Sequence, residues 1–164
     1  MADESLQADR ARRFLLRAVE LSRDGMTAGF GGPFGAVIVR GDTIVGEGFN
    51  RVLRENDPTA HAEIVAIRAA CKKLGTFRLK GCEIFASAQP CPMCLAAIYW
   101  SRIDRIWFAN TVEQARQINF DDSLFYEELV KPADRRRVEQ IHVDLPEAWA
   151  VFEAWRDKPD KTPY

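Results

Sequence analysis

The stretch CEIFASAQPCPMCLAAIYW, residues 82–100, changes its period half-way along. Cys82 to Ser87 leaves no alternate position for solvent, so a strand there belongs in the middle of a sheet. From about Cys91 to Trp100 the apolar residues suit a helix, and Pro92 fits its first turn. Gln89-Pro90 carries the chain between the two. Cys91 and Cys94, at i and i+3 in a first helical turn, point the same way. The helix N-terminus there also favours thiolates.

The same periodicities organise the chain on either side. Upstream, AVIV and TIVGEG flank Gly41-Asp42 and predict a hairpin. Before it, Phe14, Leu15, Ala18, Val19 and Leu21 recur at helical spacing over about 8–24, and Gly25 suits the stop. Asp57-Pro58-Thr59 offers a cap and a proline for a helix over about 60–73, with Ile64, Val65, Ile67 and Ala70 on its buried face. Downstream, RIWFAN (105–110) reads as another buried strand. VEQARQI is a short helix, and FDDSLFYEELV holds another turn or two. RVEQIHV (137–143) reads as an edge strand, and Leu145-Pro146 opens a last helix, EAWAVFEAWR. The tail DKPDKTPY looks loosely held. Strands alternating with helices after a hairpin predict an α/β fold. The expected form is a three-layer α-β-α sandwich with a central mixed five-stranded sheet.

The 164 residues suffice for one domain with a real core, and no linker divides 1–164. Lys and Arg total 23 against 24 Asp and Glu, a net charge of −1. That balance offers no broad field for a polyanion, which argues against nucleic acid without excluding a local patch. No window approaches the ~18 apolar residues of a membrane span. MADESLQADRARR has no apolar run behind a basic head, so the chain is expected to be cytoplasmic. Its four cysteines are then expected as thiols, metal ligands or redox groups.

Only two histidines occur, and His61 lies in TAHAEI at the start of the second helix. One imidazole with Cys91 and Cys94 makes three ligands, the count that suits a catalytic zinc with an open position for water. Glu63, two residues on, is too close along the helix to be a natural fourth ligand. It is placed to take a proton from a metal-held water and pass it to a leaving group. Other readings stand beside this one. A CxxC between strand and helix also fits a redox pair, although that chemistry needs no acid–histidine pair. A closed zinc site would need Cys82, Cys71 or His142. Cys82 lies ~20 Å from Cys91 if extended, and Cys71 about 15 Å along a helix from His61; His142 stays open.

HAE followed by PCxxC, with 29 residues between His61 and Cys91, resembles the zinc-dependent nucleoside and base deaminases, the cytidine/deoxycytidylate deaminase superfamily. Nearly the whole chain fits that pattern. Within it, GGPFGAVIV (31–39), NDPTAHAE (56–63), PCPMCLAAIYW (90–100), FDDSLFY (120–126) and AWRDKPDKTPY (154–164) are most similar to the small bacterial guanine deaminases. The resemblance implies one zinc per chain on His61, Cys91 and Cys94, with Glu63 as proton shuttle. It implies hydrolysis of a free nucleobase, guanine to xanthine and ammonia, the base lying between Phe34 and His61; guanosine, cytosine, isocytosine or an adenosine of tRNA are the alternative substrates. Asn50, Ala62, Gln89, Asp122 and Tyr164 are the implied further substrate contacts, with Asp121 competing with Asp122. A homodimer is implied, exchanging C-terminal segments of about 146–164 so that Tyr164 closes the partner's pocket. Gln89 departs from the family pattern, where many relatives carry Glu. In that family the backbone carbonyl before the proline faces the leaving amino group, and Gln89 keeps one, so the substitution bears on the pocket wall. Trp100 reads as core or dimer interface, and Arg135-Arg136-Arg137 as a solvated face.

Overall fold

The computed structural model describes residues 2–163, with side chains from residue 5. Tyr164 lies outside the described residues. The chain forms two compact units, Met1–Ser123 and Leu124–Tyr164.

The first unit is built on four strands: β1 (Gly35–Arg40), β2 (Thr43–Phe49), β3 (Cys82–Ala88) and β4 (Arg105–Asn110). Their order is β2-β1-β3-β4. β1 runs antiparallel to both β2 and β3, while β3 and β4 are parallel. The tight Gly41 turn allows the first antiparallel pairing. The parallel one needs a crossover, supplied by α4 (Pro92–Ser101).

Period-2 alternation explains why the central strands show no polar face. Val37, Val39 and Phe85 point to one side, where α1 (Ala2–Thr27) brings Ala11, Phe14 and Leu21. Phe85 stacks on Trp107 with 5.8 Å between ring centres. Ala36, Ile38, Ile84 and Ala86 point to the other side, against Ala66 and Ala70 of α3 (Ala62–Leu74) and Ile98 of α4. Helices therefore cover both faces, as the expected layering requires. Ile84 is fully buried. Ile84→Val is expected to cost about 1 kcal/mol, read as a lower denaturant midpoint at unchanged slope.

Two helix ends differ from expectation. α1 runs through Gly25 to Thr27. Gly29, at φ +71, makes the stop: its N–H donates to Met26 O and that of Phe30 to Gly25 O, the paired closure of a left-handed cap. Asp57 does not cap α3. Its carboxylate accepts the backbone N–H and hydroxyl of Thr59 in a local turn. The helix starts only at Ala62, with His61 as its extended N-cap at φ −70, ψ 156.

Among the described residues the sheet has four strands where five were expected. Residues 137–143 form neither helix nor strand, and Val138, Ile141 and Val143 are each more than 70 % exposed. A strand needs a second strand for its backbone groups. The Arg137 N–H instead donates to Glu128 Oε2 at 2.7 Å, and the Arg136 guanidinium holds the Lys131 carbonyl. Part of the basic run thus ties down its own turn. The second unit is otherwise helical, holding most of α6 (Ser123–Val130), a 3₁₀ turn (Ala133–Arg135) and α7 (Pro146–Asp157). Among the described residues no helix is long and apolar enough to cross a membrane.

Candidate active site

His61 and Cys91 hold equivalent positions, each the extended N-cap of a helix, α3 and α4. An N-cap side chain is free of the helix barrel, and here neither caps its own turn. Pro92 at the first helical position has no N–H to leave unpaired. Both helices begin just past the sheet, so their positive ends approach one point. Cys94, one turn into α4, is fully buried behind it.

The Sγ atoms of Cys91 and Cys94 each lie 3.6 Å from His61 Nδ1. All three ligating atoms fall within 4.8 Å of one another, and no other such group of His, Cys, Asp or Glu occurs among the described residues. A tetrahedral zinc with Zn–N about 2.0 Å and Zn–S about 2.3 Å separates N from S by about 3.5 Å. The donor set therefore fits that ion. The Cys94 thiol, hydrogen-bonded to Cys91 and aided by the His61 ring, pulls the Cys91 thiol down to about 4. The same hydrogen bond, together with burial, pushes Cys94 up. His61 is raised by its bond to Cys91. Two of the rival fourth ligands lie outside this group: Cys71, on α3, packs against the core cluster that holds Cys82, the first residue of β3.

Glu63 is 7 % exposed, and burial pushes its carboxyl up. It lines a cavity of about 320 Å³ together with His61, Cys91, Phe34, Asn50, Gln89 and Asp122. Asn50 is buried, and its Oδ1 accepts the Val52 N–H at 3.1 Å, which leaves Nδ2 as the donating group. Gly31 makes the room: a Cβ there would sit 2.0 Å from Asn50 Oδ1. The two candidate aspartates separate. Asp121 accepts the Ser123 N–H at 3.0 Å and the Ser123 hydroxyl at 2.5 Å, with Arg116 Nε at 3.4 Å. It closes the turn. Asp122 faces the cavity, with Oδ1 buried and unpartnered among the described residues, and burial raises its carboxyl. Ala62 is buried in the core and absent from the cavity wall, so only its backbone N–H, the first of α3, is left for a ligand. Trp100 is 63 % exposed and is not core.

Residues 8–110 match the family described as the cytidine and deoxycytidylate deaminase zinc-binding region. The chain belongs to this deaminase family. It is 49 % identical to a guanine deaminase of Bacillus subtilis over 92 % of its own length and 97 % of the relative's. An X-ray structure of guanine deaminase from the same organism superimposes with a TM-score of 0.91 at 48 % identity, covering 93 % of this chain and 98 % of that one. A tRNA-specific adenosine deaminase of Aquifex aeolicus is 44 % identical, but over 47 % of this chain and 51 % of its own. The deaminase zinc fits the donor set above.

Several wall residues carry no signal of their own in the sequence: Val52, Leu53, Pro58, Val112, Ala115 and Phe120. The glycine pair before Phe34 is the mark that points to one of the contacts, and it needs the fold to be read.

Proposed function

We propose that this chain is a zinc-dependent hydrolytic deaminase of a free purine base, guanine, releasing xanthine and ammonia. The observation that carries the reading is the trio of ligating atoms at zinc spacing on a small cavity whose wall includes a buried carboxylate. The substrate follows from the guanine deaminase likeness, which spans the chain, where the tRNA-specific enzyme matches about half of it.

His61, Cys91 and Cys94 would hold the ion, which when bound supplies the acidity that brings the pKa of a water towards ~7. The base lies between the Phe34 ring and the His61 imidazole. Asn50, its oxygen engaged by Val52, donates from Nδ2 to a carbonyl or ring nitrogen of the base. Asp122 accepts from an N–H edge; its bare Oδ1 supports this, since a buried acceptor without a donor is costly. Glu63 takes a proton from the attacking water and delivers it to a ring nitrogen, then takes the proton of the new C2 hydroxyl and delivers it to the departing amine. The bond broken is the one from C2 to the amino nitrogen, and the bond formed joins C2 to the water oxygen. The raised carboxyl of Glu63 supports a group that holds a proton between the two transfers. The Gln89 carbonyl accepts from the amino group, and its neutral side chain leaves Glu63 and Asp122 as the acids of the wall.

We also read 1–164 as one deaminase domain acting as a homodimer that exchanges segments of about 146–164, with Tyr164 at the partner's pocket. Trp149, Val151 and Phe152 of α7, 60–68 % exposed, support an unfilled contact surface.

Ammonia release over a panel of guanine, guanosine, adenine, cytosine and isocytosine tests the substrate. Guanine is expected to lead, with one zinc per chain by metal analysis. Preference for another base replaces guanine; a metal-free protein with an oxidisable Cys91–Cys94 pair sinks the hydrolase.

A further inference from the structure

We propose that Phe120 sets the size of the substrate: its ring is the wall that confines the cavity to a flat, unsubstituted base and excludes the same base carrying a glycosyl group. This rests on the reading of the cavity as a base-deaminating site.

The position of the ring is fixed by local backbone chemistry. After α5 (Val112–Arg116) the chain continues turning to Asn119, which adopts φ +67. The Asn119 N–H donates to Arg116 O at 3.0 Å and the Phe120 N–H to Ala115 O at 3.1 Å. This pair of bonds closes a helix through a left-handed residue, and it brings the apolar side chain after that residue back onto the last turn. Asparagine is the residue after glycine that best tolerates the conformation. Phe120 and Ala115 accordingly both line the cavity.

Two contacts then close the wall. The Phe120 ring meets Phe34 edge-to-face, centroids 4.8 Å apart and planes at 87°. Phe34 is the ring on which the base is read to lie. Behind both is Gly32, where a Cβ would come within 2.6 Å of Phe120 Cζ and 3.0 Å of Phe34 Cε2. The glycine lets the two rings meet across the backbone. Phe120 remains 44 % exposed, so it stands one ring thick between cavity and solvent. The cavity volume, about 320 Å³, is at the lower end of the ~300–1,000 Å³ usual for small-molecule sites. A planar base enters edgewise between rings. A sugar projecting from it needs the volume that Phe120 fills. The same turn delivers Asp122 two residues later, so charge recognition and size selection share one anchor, the Arg116–Asp121–Ser123 network.

The test is kcat/KM for guanine and guanosine in wild type, Phe120→Ala and Phe120→Leu. Wild type is expected to favour guanine strongly. The guanosine-to-guanine ratio is expected to rise at least tenfold in Phe120→Ala, with Phe120→Leu between. If the alanine variant does not fold, the leucine variant reads the same ratio. A ratio unchanged in the folded variants, or a wild type that accepts guanosine as readily as guanine, overturns the assignment. Should the panel select another base, the ratio is taken for that base and its own nucleoside, so size selection and the guanine reading fail separately.

Discussion

Glu63→Gln is expected to lower kcat by about 10²–10⁴-fold while zinc content stays at one per chain. The amide matches the carboxylate in size, so the buried position beside His61 and Cys91 keeps its packing. What it lacks is the capacity to take a proton and give it back. None of the three ligating atoms belongs to Glu63, so metal binding is expected to survive. The loss should lie in kcat more than KM, because the missing interaction belongs to the proton transfers. Turnover at the wild-type rate with zinc in place would remove Glu63 from the mechanism and hand the shuttle to Asp122, the other acid of the cavity wall.

Cys94→Ser carries the second large effect, and it is expected on the metal rather than the chemistry. Cys94 is fully buried and 3.6 Å from His61 Nδ1. A serine hydroxyl there is a far weaker donor and is shorter by the difference between C–S and C–O bonds. Losing even an outer partner of a zinc ligand costs about 10–100-fold in affinity, so losing a ligand should cost at least the upper figure. Zinc per chain after gel filtration is expected to fall well below one, with activity falling alongside. Because metal binding and folding share one free energy, the melting temperature should fall too, and excess zinc should restore part of it. A fully loaded, fully active Cys94→Ser protein would mean the ion sits elsewhere. The two substitutions divide cleanly: one keeps the metal and loses turnover, the other loses both.

The regular elements were legible wherever period and neighbours agreed. β3 was visible in 82–87 because both faces of the strand are apolar, and the structure puts Phe85 on one core and Ile84 on the other. The hairpin was legible from the Gly41 turn between β-branched runs. Residues 137–143 misled for the converse reason. Their alternation satisfies a strand in isolation, but Arg137 spends its N–H on Glu128, and the exposed valines meet no sheet. The Asp57 cap misled because an Asp-Pro-Thr run satisfies itself locally before the helix starts.

His61, Glu63, Cys91 and Cys94 were legible as a candidate group, from their places at two helix starts and from the resemblance of HAE and PCxxC to the zinc-dependent deaminases, while the residues by themselves left a redox pair or a closed zinc site open. Those sequence positions do not contain the distance between the caps. Only the packing of α3 and α4 against β1, β2 and β3 brings Nδ1 and the two sulfurs to zinc spacing. Tertiary structure also decided which aspartate closes the turn and which faces the cavity, since adjacent residues of one type differ only in where the turn points them. Phe120 belongs wholly to that level. Its contacts, Gly32 and Phe34, lie more than 80 residues away in the chain, and a wall made by such a contact has no signature in either segment alone.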